Sequence, residues 1–319
     1  MIEIDDMRVY VEVVESGGFS RAARRLGLSK SIVSRRVAKL EDELGTRLLN
    51  RTTRGISPTE AGLDFKARSE RILAELEAAR EVMAHHRGDV VGRLRLTAPI
   101  TFGSRHVTPL LAMLADRHPK LEIDLSLSDR KVDLVAEGYD AAVRIGTLPD
   151  SSLVARRIAS VRSAVVASPD YLAEYGFPQR PEDLNRHQCI GYSGRATTDW
   201  TFRVGRKWVS IRPRTRLRSD SGEAILQWAI AGCGVAEVPL FLLGDAIERR
   251  QLVPLLRDFP LPEYGLHVLR PPGANVPGKV RALIDAMVEH FGGAPVWDRC
   301  MMAAAEEERE AAMAAAAAA

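Results

Sequence analysis

A basic stretch near the start of the chain, residues 20–54, constrains this protein more than any other part of its sequence. Ten arginine or lysine residues in the stretch stand against three acidic residues, so its net charge is +7, whereas the whole chain of 319 residues carries +3. Such a local excess of positive charge indicates a polyanionic partner. The stretch therefore predicts a domain that binds a polyanion.

Three successive segments before residue 45 show apolar residues at helical spacing. In the first segment the predicted inner face consists of Met7, Tyr10, Val11 and Val14. Ser20 and Ser29 are the predicted N-caps of the second and third helices, and Gly27 is the predicted end of the second. The predicted inner face of the third helix consists of Val33, Val37, Leu40 and Leu44. A short helix, a turn containing glycine and a third helix are typical of a helix-turn-helix.

The opposite face of the third helix combines small, hydroxyl-bearing and cationic residues. Small residues allow close approach to a major groove, while hydroxyl and guanidinium groups reach base edges or phosphates. The alternative is a solvated helix face that is merely basic, but the helix-turn-helix arrangement favours DNA. The residues of this face, with the lysines that flank it, are Lys30, Ser31, Ser34, Arg35, Ala38 and Lys39.

Two short extended segments follow the third helix and meet at the sequence Arg51-Thr52-Thr53-Arg54-Gly55. They predict a hairpin, or wing, with two arginines at its tip. Arginines in this position enter a minor groove or contact phosphates.

A long helix is predicted after the wing. Ser57-Pro58-Thr59-Glu60 has the form of a capping box with proline at the first helical position. The helix then carries a seam with alternating spacings of four and three, which predicts pairing with the same helix of a second subunit; the alternative is packing on its own domain. The residues of the seam are Phe65, Ser69, Ile72, Leu76, Ala79 and Met83.

Strands and helices alternate from residue 88 onward. Strands predicted at 94–98, 121–127 and 139–145, with helices starting near residues 99 and 131, form a βαβαβ unit with parallel strands. A second unit begins near residue 161 and includes an extended stretch at 201–217 and a helix at 221–231. Such sheets bind ligands beyond the carboxyl ends of their strands.

This strand-end rule predicts a set of cleft residues, for each of which the alternative is a loop or packing role. Arg195 among them has a guanidinium that can pair with an anionic ligand. The predicted effector-binding residues are Pro99, Ile100, Thr101, Phe102, Ser128, Gly146, Ser193 and Arg195.

Four arginines alternate along the second half of the 201–217 stretch and just beyond it, and Pro213 marks the edge of a sheet. They predict either a contact with DNA or another subunit, or an edge strand that is protected by charge. These arginines are Arg212, Arg214, Arg216 and Arg218.

Several classes of protein are disfavoured by the sequence. The segment 191–194 (GYSG) lacks the GxSxG spacing, and no HExxH or P-loop occurs, so no enzyme is predicted. Three well-separated cysteines match no metal-ligand spacing, and no cofactor is predicted. The first 15 residues have neither a basic n-region nor an apolar core, so we expect no membrane segment and a cytoplasmic location. A periplasmic-type binding protein, which residues 90–292 alone suggest, is disfavoured by the missing export signal and the basic helices.

Three motifs give the chain a family resemblance: Phe19-Ser20-x-Ala22-Ala23, Leu40-Glu41-x-x-Leu44-Gly45-x-x-Leu48 and Arg51-x-x-Arg54-x-x-x-x-Thr59-x-x-Gly62. They resemble the LysR-type transcriptional regulators, closely over the first 62 residues and more weakly to about residue 292. The resemblance implies an α+β multidomain chain: a winged helix-turn-helix (1–58), a linker and dimerisation helix (59–87) and a two-lobed α/β effector domain like periplasmic binding proteins (88–292). Residues 88–161 and 268–292 would form the first lobe, residues 162–267 the second, and residues 293–319 an alanine-rich tail.

The same resemblance implies a mechanism and partners. Operator DNA would be bound under the control of a small-molecule effector, by a homodimer or a homotetramer built as a dimer of dimers, with RNA polymerase as a further partner of an activator. Lys30, Ser31 and Arg36 depart from the neutral residues that relatives often carry. With the groups predicted above, the DNA-binding residues are Ser20, Arg21, Lys30, Ser31, Ser34, Arg35, Lys39, Arg51, Thr52 and Arg54.

Overall fold

The computed structural model describes residues 2–52, 55–85, 90–148, 150–194, 198–273, 275–293 and 295–298. The chain divides into two compact units, residues 1–92 and 93–319. Within the described residues, every helix is too short or too polar to cross a membrane.

The first unit is a winged helix-turn-helix followed by a long helix, as the sequence predicts. Strands β1 and β2 form an antiparallel hairpin in which Leu49 pairs with Pro58 and Thr52 with Gly55. The elements are α1 (Ile4–Ser16), α2 (Phe19–Leu26), α3 (Lys30–Leu44), β1 (Leu49–Thr52), β2 (Gly55–Pro58) and α4 (Glu60–His85).

The inner face of α3 is confirmed, whereas that of α1 is rotated from the prediction. Val33, Val37 and Leu40 are all fully buried. In α1 the buried apolar residues are Val9, Tyr10 and Val13, while only Tyr10 belongs to the predicted stripe. Apolar residues occupy two sides of α1, so hydropathy alone did not fix which side faces α2 and α3.

The helix ends show one confirmed cap and two corrected ones. The Ser29 hydroxyl accepts a hydrogen bond from the Ile32 amide at 3.3 Å, and Gly27 ends α2 in the left-handed conformation. Ser20 is not a cap, because α2 begins at Phe19, two residues earlier than predicted, with Gly18 as its N-cap. Thr59, and not Ser57, caps α4: its hydroxyl oxygen accepts from the Gly62 amide at 3.0 Å. Pairing with β1 keeps Ser57 and Pro58 extended within β2, which excludes the proline from the helix.

The second unit contains two five-stranded sheets. Lobe I is built on the sheet of order β4-β3-β5-β14-β6, and lobe II on the sheet of order β11-β8-β12-β7-β13. The strands are β3 (Gly92–Ala98), β4 (Leu121–Leu127), β5 (Ala141–Gly146), β6 (Val154–Val161), β7 (Ser163–Ala167), β8 (Cys189–Tyr192), β9 (Trp200–Val204), β10 (Lys207–Ile211), β11 (Thr215–Ser219), β12 (Val235–Pro239), β13 (Val253–Leu255) and β14 (Tyr264–Arg270). The helices are α5 (Ile100–Phe102), which continues through a π-helical turn into α6 (Thr108–Arg117), then α7 (Pro169–Tyr175), α8 (Gly222–Ile230), α9 (Leu240–Glu248) and α10 (Gly278–Phe291).

Lobe I contains the predicted parallel pair, since β3 and β5 pair in parallel. The prediction of a helix starting at Lys131 is wrong. Residues 134–138 form a tight turn in which the Tyr139 amide donates to the Leu134 carbonyl at 2.8 Å. Gly138, in the left-handed conformation, closes this turn before a helix can form.

Lobe II holds the extended stretch predicted at 201–217, which divides into a separate hairpin, β9–β10, and the edge strand β11. Trp200 and Phe202 of the hairpin are buried in the core of this lobe. The chain returns to lobe I earlier than predicted, at Tyr264 rather than residue 268, because all of β14 pairs with β5 and β6.

Candidate DNA-binding and effector sites

The outer face of α3 presents the predicted DNA-binding residues. Lys30, Ser31 and Arg35 are exposed and Ser34 is half-buried. Ser31 shares a hydrogen bond of 2.9 Å with the cap residue Ser29. The side chains of Lys30 and Arg35 make no hydrogen bond or ion pair with any described residue. Two cations of this face are thus available to an external anion.

Two further cations of α3 are bound within the domain. The Arg36 guanidinium lies 3.4 Å from the Asp6 carboxylate, and the Lys39 amine lies 3.3 Å from the same carboxylate and 2.6 Å from that of Glu3. Asp6 is only 2% exposed, so it is a buried anion between two cations. The hydrogen bond to Glu3 raises the pKa of Lys39. Lys39 therefore anchors α1 on α3, which the sequence did not predict, and its contact with DNA stays a prediction.

The remaining predicted DNA-binding residues lie on α2 and on the wing. Ser20 and Arg21 are exposed in the first turn of α2, and Arg21 donates to the Gly17 carbonyl at 2.9 Å. Arg51 and Thr52 lie at the end of β1, while Arg54 falls outside the described residues.

Glu41 holds the wing against α3. One of its carboxylate oxygens accepts hydrogen bonds from the amides of Leu48 and Leu49, at 2.8 and 3.0 Å. The sequence shows this glutamate only as a member of a motif. The structure shows that it fixes the start of β1 relative to the recognition helix.

The predicted seam of α4 divides into two parts. Phe65 is half-buried in its own domain, with its ring centroid 5.6 Å from that of Tyr10 in edge-to-face contact, and Ser69 is 1% exposed. The prediction that they face a second subunit is therefore corrected, because Phe65 packs on the winged domain of its own chain and Ser69 is buried within its own chain. Ile72 is 45% exposed and Leu76 is half-buried. The side chains of Ala79 and Met83 lie outside those that the structure describes.

In lobe I, the predicted residues lie together at or just after the ends of β3, β4 and β5, as the strand-end rule predicts. The Ser128 amide donates to the Ala98 carbonyl at 2.9 Å, and the Ile100 amide donates to the Asp129 carboxylate at 3.1 Å. Pro99, Thr101, Ser128 and Gly146 are half-buried and Ile100 is exposed, at the carboxyl ends of three neighbouring strands.

Phe102 is wrong as an effector-binding residue. It is 1% exposed, and its ring packs among those of His106, Phe241, Phe291 and Trp297 at centroid distances of 5.1 to 5.8 Å. The helix that follows β3 turns this side chain into the interior. It therefore belongs to the core.

Lobe II carries a second group of candidates. Ser193 follows β8, is exposed, and donates its amide to the Ser219 carbonyl at 2.9 Å. Arg195 lies outside the described residues. A small pocket lies beside Tyr192, and its lining contains two acids that the sequence did not point to, Asp199 and Glu237. A hydrogen bond from Arg212, at 2.8 Å, lowers the pKa of Asp199.

Arg144 is a further candidate site residue, which strand-end reasoning missed. It is half-buried on β5 and donates to the Val143 carbonyl at 2.8 Å and to the Thr97 hydroxyl at 3.5 Å. Burial lowers the pKa of its guanidinium, and Asp129 opposes that effect. The signal in the sequence was an arginine within the otherwise apolar strand AAVRIG.

Polar contacts join the two lobes. The Arg105 guanidinium, on the helical segment after β3, lies 2.7 Å from the Glu223 carboxylate on α8. The neighbouring His106 ring shares a hydrogen bond of 3.0 Å with the Phe241 carbonyl on α9, and burial lowers the pKa of His106. The first helix of lobe I is thus bonded to two helices that follow strands of lobe II.

Comparison with known proteins decides the family. Residues 4–63 match the family described as "Bacterial regulatory helix-turn-helix protein, lysR family", and residues 87–292 match the "LysR substrate binding domain". The chain belongs to the LysR family of transcriptional regulators. It is therefore a DNA-binding transcriptional regulator with an effector-binding domain, and not an enzyme.

Relatives of this LysR-type regulator match it along nearly their whole length. The regulator PtxR of Pseudomonas aeruginosa is 35% identical over 92% of this chain and 95% of its own. The structure of CrgA, a LysR-type regulator from Neisseria meningitidis, is 34% identical, covers 91% of this chain and 99% of its own, and has a TM-score of 0.59. The full-length virulence activator AphB of Vibrio cholerae is 28% identical, covers 90% and 99%, and has a TM-score of 0.56. The predicted family and fold class are confirmed.

Proposed function

We propose that this regulator reads operator DNA with the outer face of α3, through Ser31, Ser34 and Arg35, while Lys30 contacts phosphate. The observation that carries the proposal is the division of cations on α3. Arg36 and Lys39 are bound to acids of α1, whereas Lys30 and Arg35 are exposed and free of described partners. Arginine beside small hydroxyl-bearing residues is suited to base edges in a major groove.

Arg35→Ala is expected to weaken binding to a preferred sequence by about 1–3 kcal/mol, because a bidentate contact with a base is lost. The probe is a duplex that the wild-type protein selects from a random library, and binding is measured by fluorescence anisotropy. Arg71→Ala, which removes an exposed cation from α4, is the matched control and should leave affinity unchanged. Equal affinities of wild type and Arg35→Ala would remove Arg35 from the reading surface.

The effector, in this proposal, binds at the strand ends of lobe I, against Pro99, Ile100, Thr101, Ser128 and Gly146. Ser193 and Arg195 complete the site from lobe II. This placement is supported by two hydrogen bonds that join the loops after β3 and β4: the Ser128 amide to the Ala98 carbonyl at 2.9 Å, and the Ile100 amide to the Asp129 carboxylate at 3.1 Å. Arg144 supplies a desolvated positive charge nearby, which favours an effector with a negatively charged group.

A thermal-shift screen of small carboxylic acids tests this site. An acid at 100 times its Kd stabilises the folded protein by about 2.7 kcal/mol, which raises the melting temperature. Ser128→Ala should remove the shift, and Ser151→Ala, at an exposed serine of the β5–β6 loop, should retain it. A shift that Ser128→Ala leaves intact would place the acid elsewhere.

The proposal also covers the oligomeric state of the regulator, its location in the cell and a further partner. Exposed Ile72 and half-buried Leu76 support pairing of α4 between two subunits, with Ala79 and Met83 continuing the seam. Two such dimers would form a homotetramer. The site of action is the cytoplasm, where chromosomal DNA is accessible, and RNA polymerase is a further partner if the regulator activates transcription.

A further inference from the structure

Lobe II carries a second basic surface that the family assignment does not use. Between residues 200 and 219 the chain has seven cations and no acid, a net charge of +7, equal to that of the 20–54 stretch. Three of these cations, Arg203, Arg206 and Lys207, lie on the β9–β10 hairpin. The other four are the alternating arginines from Arg212 to Arg218. All seven are exposed, and we call these seven residues together the basic face of lobe II.

The hairpin presents an arginine beside an exposed tryptophan. Arg203 and Trp208 are directly opposite each other on the two strands, so their side chains project from the same side, about 5 Å apart at Cβ. Trp208 is 54% exposed, whereas Trp200 and Phe202 anchor the hairpin in the core at 4% and 0% exposure. The hairpin is thus a firmly held element whose outer side carries Arg203 and Trp208, with Arg206 in the turn between the strands.

The charges of this face are almost entirely uncompensated. Arg212 pairs with Asp199 at 2.8 Å. The side chains of the other six cations make no ion pair or hydrogen bond within the described part of the chain. Like charges grouped in this way repel one another and create a strong local potential.

Protection of a sheet edge does not account for the whole face. Strand β11 lies at the edge of its sheet and pairs only with β8, so charge at Arg216 and Arg218 does discourage pairing with another strand. An exposed tryptophan does not discourage association in this way, because its large apolar ring favours contact with a partner. Edge protection therefore leaves the exposed tryptophan of the hairpin unexplained, whereas a binding partner explains it.

We propose that the basic face of lobe II binds the phosphate backbone of duplex DNA, as a contact separate from α3 and the wing. A surface rich in arginine, on which Asp199 pairs with Arg212, has the composition of protein–DNA interfaces, whereas protein partners require an apolar centre. Single-stranded nucleic acid requires several aromatic side chains for successive bases, and this face has only Trp208 among the described residues. Duplex DNA is the partner that these observations favour.

The salt dependence of DNA binding by the full-length protein tests the proposal. The probe is a random-sequence duplex of about 60 base pairs, long enough to reach beyond one recognition site. The variant combines Arg203→Gln, Arg206→Gln and Lys207→Gln. Because each neutralised phosphate contributes about 0.9 to the slope of log K against log salt, the slope should fall by about 2 to 3.

A charge-matched control combines Lys131→Gln, Arg156→Gln and Arg281→Gln, three exposed cations of lobe I. Its slope should equal that of the wild type. A hairpin variant with the wild-type slope, or with no more loss than the control, would overturn the proposal. Arg35→Ala separates the two DNA contacts: it should lose preference for the selected sequence while retaining the hairpin contribution on random duplex.

Quenching of tryptophan fluorescence by acrylamide gives a second, local measurement. Saturation with the duplex should protect an emission component that is present in the wild type and missing in Trp208→Phe. Unchanged quenching of that component would overturn the proposal, as would stronger protection by a single strand of equal length.

Discussion

Gly62→Ala is expected to unfold the winged domain under conditions in which the wild-type domain is folded. A Cβ at position 62 would lie 2.1 Å from the Leu48 carbonyl oxygen and 2.6 Å from the Tyr10 hydroxyl. The carbonyl is backbone and already accepts from the Thr59 amide at 2.9 Å and from the Tyr10 hydroxyl at 3.4 Å. Tyr10 is fully buried, so it has little room to move. The same burial raises the pKa of its hydroxyl to about 12. Either α4 or the start of β1 must shift.

We expect a destabilisation of about 3 kcal/mol or more, the upper range for overpacking, because a backbone atom obstructs the new methyl group. Urea unfolding followed by circular dichroism should show an earlier transition for the first unit, together with loss of DNA binding. Gly18→Ala is the control in the same domain, since a Cβ there would meet nothing within 4 Å. Equal midpoints for Gly62→Ala and wild type would contradict the close approach of α4 to Leu48.

Local signals in the sequence predict much of the first unit. Ser29, Gly27 and the buried row of α3 are correct because a cap and an amphipathic helix depend on neighbours within a few residues. The cap of α4 was misplaced because Ser57 and Pro58 are held extended by β1, which is a pairing between separate segments. Gly62 was visible as part of a motif, but its reason lies in Leu48 and Tyr10, which are distant in sequence.

In the candidate effector site, too, the features that depend on local sequence were predicted and those that depend on distant segments were not. The strand-end rule placed Pro99, Thr101 and Ser128 together, because it depends only on the order of parallel strands. The prediction for Phe102 was wrong, since an apolar residue beside a cleft can contact a ligand or pack in a core. Its aromatic neighbours, three of them distant in sequence, show that it packs in the core. Arg144 and Glu237 were missed because the surroundings of a charged residue within a strand depend on strands and loops distant in the chain.

Ile72→Asp is expected to convert the assembly to monomers. Phe65 packs on Tyr10 and Ser69 is buried within its own chain, so we expect the part of α4 that pairs with a second subunit to begin at Ile72, which is 45% exposed. An aspartate at an exposed position is tolerated within one subunit, yet at a helix–helix seam it leaves a desolvated charge beside its symmetry mate. The cost, about 3 kcal/mol or more, raises the dissociation constant of the dimer by about a hundredfold or more.

Sedimentation velocity over a range of protein concentrations measures this constant directly. Ala67→Asp places the same charge on the same helix, at an exposed position five residues before Ile72 and on the opposite side from the seam, and it should leave the assembly intact. Because both variants add one exposed aspartate to α4, a general weakening of the helix would affect them equally. An Ile72→Asp protein that dimerises like the wild type would show that the seam is not the subunit contact, and α4 would then be explained by packing on its own domain.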